Sequence, residues 1–204
     1  MTFENNLHKL CLIYGNQQLL VEETVDSIIE DRLKGRQHEW ALERFNSQEL
    51  LKTTGDFGRQ NVEDLQISCE TLPMLTDRKV IRIDNFELVK KPRKSSEKNN
   101  QQLLYETVEK IIEKPPESIW FVFTSTATRE QDFSNPLFQI IKKKGFIKKF
   151  TAHDNATPLN WVIQRGDTKG LPIPVDLARL LIDIVGSDLM DLDHELDKLS
   201  LYLS

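Results

Sequence analysis

Cysteine is nearly absent from this chain: Cys11 and Cys69 are the two among 204 residues. Two thiols so far apart make neither a disulfide framework nor the clustered spacing of a zinc site. The chain must therefore hold together by burying a core, which its length permits, and a reducing cytoplasm is the expected compartment. No apolar run is long enough to cross a bilayer, so no membrane partner is expected. The polar start Met1-Thr2-Phe3-Glu4-Asn5-Asn6 is not expected to act as a signal peptide. Excess positive charge is missing as well. With 27 Lys and Arg against 32 Asp and Glu, the net charge of −5 argues against a protein that coats DNA by bulk charge, though not against local basic patches. No G-x-S-x-G, H-E-x-x-H or catalytic-cysteine context occurs. His8, His38 and His153 lack partners at ligand or triad spacing.

What is present is an alternation of strand-like and helix-like runs. Residues 9–14 read as a buried strand, with Cys11 inside it as a small hydrophobe. Residues 19–33 read as a helix, with Leu20, Val21, Val25, Ile28, Ile29 and Leu33 at helical spacing. Strands follow at 39–45 (Trp40, Leu42 and Phe45 as apolar contacts), 79–85, 119–124 and 146–150. Helices are expected at 61–71, capped by Asn61, at 103–113, stopped by Pro115-Pro116, and at 137–144. Residues 53–58 form a turn region and 90–102 a charged surface loop. Five strands separated by helices predict a parallel sheet with helices on both faces. After a hinge-like stretch at 151–160 the pattern turns all-helical, with helices expected at 158–164, 175–184 and 187–204, broken at 166–174. In the last, Leu189, Leu192, Leu196 and Leu199 make one apolar face.

The first strand and helix flank the place where a nucleotide-binding α/β protein carries its phosphate loop. A working loop reads G-x-x-x-x-G-K-[ST]: backbone N–H groups cradle phosphate, the Lys reaches the outer phosphates and the hydroxyl holds Mg²⁺. Counted from Gly15, this chain puts Leu20 at the second Gly, Val21 at the Lys and Glu22 at the hydroxyl. Neither Val nor Glu can neutralise a triphosphate, and Glu22 repels one. The strand at 79–85 ends in Asp84-Asn85, the position of a Mg²⁺-holding acid, and the strand at 119–124 runs into Ser125-Thr126, a sensor-like position. Without the lysine neither supports hydrolysis. No catalytic residue, cofactor or metal ligand is expected.

Four other segments and one aromatic carry weight. Glu70-Thr71-Leu72-Pro73-Met74-Leu75-Thr76-Asp77-Arg78 puts an apolar group in a short connection. Met74 and Leu75 either cap the core or form an exposed plug for a partner's pocket, where each could contribute about 1.5–3 kcal/mol. The basic run Lys142-Lys143-Lys144-Gly145-Phe146-Ile147-Lys148-Lys149 reads as a solvated helix end that complements the helix dipole; a nucleic-acid patch is the alternative. The charged loop around 90–98 has no aromatics to stack bases. Asp188, Asp191 and Glu195 share a helix face and, with Asp193, His194 and Asp197, read as the solvated side of an amphipathic helix. Trp161 reads as a packing anchor.

Taken in order, these segments resemble the delta subunit of the bacterial DNA polymerase III clamp loader. The resemblance rests on Leu12-Ile13-Tyr14-Gly15-Asn16-Gln17-Gln18-Leu19-Leu20-Val21-Glu22-Glu23, on the run from Leu72 to Val80, on Pro115-Pro116-Glu117-Ser118-Ile119-Trp120-Phe121-Val122-Phe123, on Lys143 to Phe150, and on Val185 to Tyr202. It implies an AAA+-like parallel five-stranded sheet with a degenerate loop over 1–152 and a small all-helical lid domain over 153–204. The family's C-terminal collar domain is missing, so the chain is expected to be a fragment. The implied role is a non-catalytic subunit that binds and opens the sliding clamp for loading onto primed DNA, without intrinsic ATPase, within the DNA polymerase III holoenzyme (a nucleotidyltransferase). The implied clamp contact is Leu72, Pro73, Met74 and Leu75, where many members carry Leu-Phe in place of Met-Leu. Implied partners are the clamp (beta subunit), gamma/tau and delta prime, with DNA reached through the assembly. The rival readings are an AAA+ ATPase with an atypical loop and a nucleic-acid-binding protein.

Overall fold

The computed structural model describes residues 8–33, 38–52, 61–71, 78–92, 99–151 and 157–203. The chain forms two compact units, one of residues 1–16 with 21–149 and one of residues 17–20 with 150–204.

The first unit holds β1 (Leu10–Gly15), α1 (Gln18–Leu33) from Val21 on, α2 (His38–Ala41), β2 (Leu42–Asn46), α3 (Ser47–Leu50), α4 (Val62–Glu70), β3 (Lys79–Asp84), α5 (Asn100–Glu113), β4 (Ile119–Ser125), α6 (Asn135–Lys144) and most of β5 (Phe146–Phe150). The strands form one sheet in the order β2-β3-β4-β1-β5. The pairs β2–β3, β3–β4 and β4–β1 are all parallel.

Side-chain alternation along the strands assigns residues to the two faces. Leu10, Leu12 and Tyr14, Ile81 and Ile83, and Phe121 and Phe123 share a core with Leu65 of α4, Leu104 and Val108 of α5, and Leu137 and Phe138 of α6. Aromatic rings concentrate there: Tyr14 meets Phe133 edge-on at 5.1 Å, and Phe133 stacks on Phe138 at 5.4 Å. The opposite face carries Cys11, Ile13, Val80, Arg82 and Val122, all buried. α1 meets that face through Glu22, which bonds Arg82, and buries Val21, Val25, Ile28, Ile29 and Leu33.

Local signals placed most elements. Asn61 caps α4 by accepting from the Asp64 N–H while Asp64 accepts from the Asn61 N–H, a complete capping box. Other expectations need correction. Residues 38–41 form a helical turn, β2 starts only at Leu42, and Trp40 is 65% exposed and is no core contact. The charged loop is shorter than expected: Asn99 accepts from the Gln102 N–H and opens α5 at Asn100, so side-chain capping turned polar residues into a first helical turn. The turn region at 53–58 lies outside the described residues.

The second unit is helical: α7 (Pro158–Thr168), α8 (Val175–Val185) and α9 (Leu189–Leu203). Leu19 and Leu20 group with its core of Val162, Ala178, Leu189, Leu192 and Leu196. The expected break at 166–174 starts later: α7 runs through Gly166 to Thr168, and the break spans 169–174 before α8. A Cβ on Gly166 would stand 2.6 Å from the Leu171 carbonyl oxygen, so the absent side chain lets the returning chain press against the helix.

Among the described residues, no helix is long and apolar enough to cross a membrane.

Candidate functional site

The carboxyl ends of β1, β3 and β4 converge where a parallel α/β sheet presents its ligand crevice. Gly15 ends β1 at φ 140°, in a region that L side chains rarely adopt. Only Asn16 and Gln17 separate it from α1. The long loop that wraps phosphate is therefore absent as backbone as well as in residue type. Leu20, counted at the second Gly, is already helical, and Val21, counted at the Lys, is a 2% exposed core residue.

Glu22 sits one turn into α1 and faces β3. Both its oxygens accept from the Arg82 guanidinium, Oε2 from Nη1 and Oε1 from Nη2, each at 2.8 Å. Arg82 Nε donates to Asp84 Oδ1 at 2.7 Å, and the Thr124 hydroxyl donates to the same oxygen. Three strand residues of one sheet face thus join α1 in a single network. The Arg82 side chain is 8% exposed, against 33% for Glu22 and 27% for Asp84. A buried charge persists only if paired and hydrogen-bonded. Burial alone favours the uncharged guanidine, but the bonds to Glu22 and Asp84 outweigh it and hold Arg82 above its ordinary pKa.

The expectation that Glu22 bars phosphate thus has a partner that sequence counting missed. A signal existed: in Val80-Ile81-Arg82-Ile83-Asp84, period-two alternation puts Arg82 and Asp84 on one face of an otherwise apolar strand. Ser125, in the sensor-like place, accepts from the Ala127 N–H at 3.0 Å and closes a turn. Asn85, at φ 58°, donates from its amide to Asn46 Oδ1 at 2.9 Å and links the ends of β3 and β2.

Leu72, Pro73, Met74 and Leu75 lie outside the described residues, as do residues 93–98 of the charged loop. What flanks 72–77 is described. Thr71 leaves α4 in extended conformation. On the far side, the Arg78 guanidinium and the Lys9 ammonium stand over the Trp120 ring, at 5.5 Å and 4.7 Å from its centre. Beside the end of α4 a cleft of about 320 Å³ is lined by Gln66, Cys69, Glu70, Thr107, Lys110 and Lys114.

The lysines of α6 are exposed, as a solvated helix end requires. Lys142 pairs with Glu130 at 3.4 Å, and Lys144 donates to the Glu113 carbonyl at 2.8 Å. On α9, Asp188 accepts from the Met190 and Asp191 N–H groups and caps the helix. Asp193 is not on the solvated side: it is buried and accepts from Arg165 at 2.6 and 2.9 Å, with Lys169 at 3.0 Å. Those Arg165 bonds hold its carboxyl below the usual carboxylate range. Among the described residues, no group of three or more His, Cys, Asp or Glu side chains is arranged to hold a metal. Trp161 packs partly buried against the helical core. An apolar groove of about 480 Å³ in the same unit is lined by Leu171, Ile173, Leu177, Leu180, Ile184 and Leu203.

The sequence profile of a family described as DNA polymerase III, delta subunit, matches residues 11–151. No curated protein matches. Among solved structures, the fold is similar to the Bacillus subtilis DNA clamp loader delta protein, with TM-score 0.64 and 19% identity over 97% of this chain and 54% of that one. It is also similar to a DNA polymerase III gamma subunit-related protein from Thermotoga maritima (TM-score 0.50, 15% identity, 79% of this chain, 46% of that one). AMPPCP-bound DnaA from Aquifex aeolicus is a further likeness (TM-score 0.53, 11% identity, 96% of this chain, 56% of that one). The chain spans about half the length of these proteins. The likenesses establish an AAA+-like fold: a parallel five-stranded sheet with helices, followed by a helical unit.

Proposed function

We propose a function from one premise: this chain belongs to the family of DNA polymerase III delta subunits. In this reading it is a non-catalytic clamp-loader subunit that binds the ring-shaped sliding clamp and favours its open form during loading onto primed DNA in the cytoplasm. Residues 1–152 act as the AAA+-like domain and 153–204 as the helical lid. Gamma/tau and delta prime are the partners in the whole loader. DNA is met through that assembly.

The observation that carries the non-catalytic half is the Glu22–Arg82 pair at the end of β1–α1. A nucleotide enzyme needs positive charge and a free hydroxyl there. This chain offers a carboxylate already engaged by an internal cation, and a helix in place of the loop.

The working contact is assigned to Leu72, Pro73, Met74 and Leu75 on the family resemblance. Two apolar side chains inserted in a pocket could supply about 1.5–3 kcal/mol each, enough for a hot spot. Clamp opening further requires that the subunit prefer the open ring, since equal affinity for both forms shifts nothing.

The test is surface plasmon resonance against the cognate clamp, with circular dichroism as the fold control. Met74→Ala combined with Leu75→Ala is expected to abolish binding while the chain stays folded. Unchanged affinity in the double variant rejects the contact. Calorimetry with Mg-ATP addresses the ATPase reading, and tight binding there contradicts the proposal.

A further inference from the structure

We infer that Arg82 is the built-in cation of a nucleotide site this fold no longer uses. Its guanidinium takes the place, among oxygens of Glu22, Asp84 and Thr124, that a divalent cation fills in a working site, and so makes the α/β unit independent of Mg²⁺ and nucleotide. The inference rests on the reading that the nucleotide site is vestigial, and is independent of the clamp contact.

The donor set is the first argument. In a working phosphate-loop site, the hydroxyl at the loop's end and an acid at the end of a neighbouring strand hold Mg²⁺. Here the hydroxyl position is Glu22, the strand-end acid is Asp84, and a second hydroxyl, Thr124, bonds Asp84. Carboxylate and hydroxyl oxygens are the donors that Mg²⁺, Mn²⁺ and Ca²⁺ select. The substitution of Glu for Ser or Thr thus adds negative charge where a cation belongs.

The position of Arg82 is the second argument. It leaves the buried face of β3 among Val80, Ile13 and Val122, where an arginine is costly unless the charge is needed. Its three hydrogen bonds to Glu22 and Asp84 reach three carboxylate oxygens: Glu22 Oε1, Glu22 Oε2 and Asp84 Oδ1. Two carboxylates this close repel each other when no cation lies between them. A guanidinium keeps its charge at all working pH values and matches a carboxylate with two parallel bonds. The charge sum also decides against phosphate: two carboxylates and one guanidinium leave the site at net −1, to which a triphosphate would add only repulsion.

The test uses the 204-residue chain with Mn²⁺ as probe, read by electron paramagnetic resonance titration and by melting with and without the ion. The parent chain is expected to show no saturable Mn²⁺ binding, and its melting temperature to ignore Mn²⁺ and Mg-ATP. Arg82→Ala is expected to melt lower, to bind one Mn²⁺ and to regain melting temperature as Mn²⁺ rises, because a ligand that binds only the folded state stabilises it. Arg82→Ala with Glu22→Gln is expected to lose both the binding and the recovery. Arg82→Lys, which keeps the charge but loses the paired bonds, is expected to exclude Mn²⁺ and to melt between the alanine variant and the parent.

The inference is overturned if Arg82→Ala folds yet binds no Mn²⁺, if the double variant binds equally well, or if the parent itself binds Mn²⁺. Should Arg82→Ala fail to fold, Arg82→Lys decides: a lysine variant that admits Mn²⁺ shows that a cation at this place is not what keeps the metal out. Clamp affinity measured on the parent separates the two readings. A parent that passes the Mn²⁺ test and fails to bind clamp removes the proposed function and leaves this inference standing.

Discussion

The Lys79 ammonium donates to the Ser68 carbonyl oxygen at 2.8 Å, from a side chain that is 3% exposed. The bond ties the last turn of α4 to the first residue of β3 and closes the base of the connection between them. Glu43 of β2 meets the same ammonium at 2.5 Å, so three elements share one charge. Replacing Lys79 with Met keeps the apolar stem and removes both bonds. Glu43, 41% exposed, stays hydrated, while the Ser68 carbonyl loses its donor. The expected loss is about 1–3 kcal/mol, read by urea denaturation. A midpoint equal to the parent's would mean the bond contributes nothing.

The helical unit should weaken in acid through Asp193. Its folded pKa lies below the usual carboxylate value because Arg165 bonds the charged form. A depressed folded pKa gives stability that is present above the unfolded value of about 3.9 and is lost as pH falls through the folded value. Asp193→Asn should therefore destabilise near neutrality, with the difference from the parent shrinking below about pH 4. Unfolding curves across that range check the sign; a difference that grows in acid refutes it.

Gly166→Ala tests whether packing or helix propensity governs α7. Alanine is the better helix former by about 0.8–1 kcal/mol. The added Cβ, however, would stand 2.6 Å from the Leu171 carbonyl oxygen and 2.9 Å from the end of Ile173. Backbone cannot yield as a side-chain tip can, so a net loss of about 1–3 kcal/mol is expected in thermal melts. A stabilised variant would show that the chain after α7 sits farther away.

Both thiols should be inert in the folded chain. Burial pushes Cys11 up to about 11 and Cys69 up to about 12. The thiolate is the reactive form, so Ellman's reagent at mildly alkaline pH should react only as the chain unfolds. Fast reaction of one thiol under native conditions would locate an opening between α4 and α5, where Cys69 lines the cleft.

Much of the fold was legible because its signals are local. The Asn61 cap, the leucines at 189, 192 and 196, and the apolar strand at 119–124 each declare themselves within a few residues. Errors arose where a local turn or a distant partner overrides residue type. Trp40 looked like a core residue by type, yet a helical turn leaves it in water. Asp193 looked solvated by its charged neighbours, yet Arg165, 28 positions away, buries it in an ion pair.

The sequence alone determined that this chain is an α/β protein with a helical unit after it, and that its phosphate loop lacks a lysine. Hydrophobic period and capping act over one or two turns, and a missing side chain can be read without coordinates. Only the tertiary structure decided what stands in the loop's place. Glu22 and Arg82 are 60 positions apart and meet because α1 packs across β3. Whether a buried charge is a defect or a replacement depends on what faces it in space.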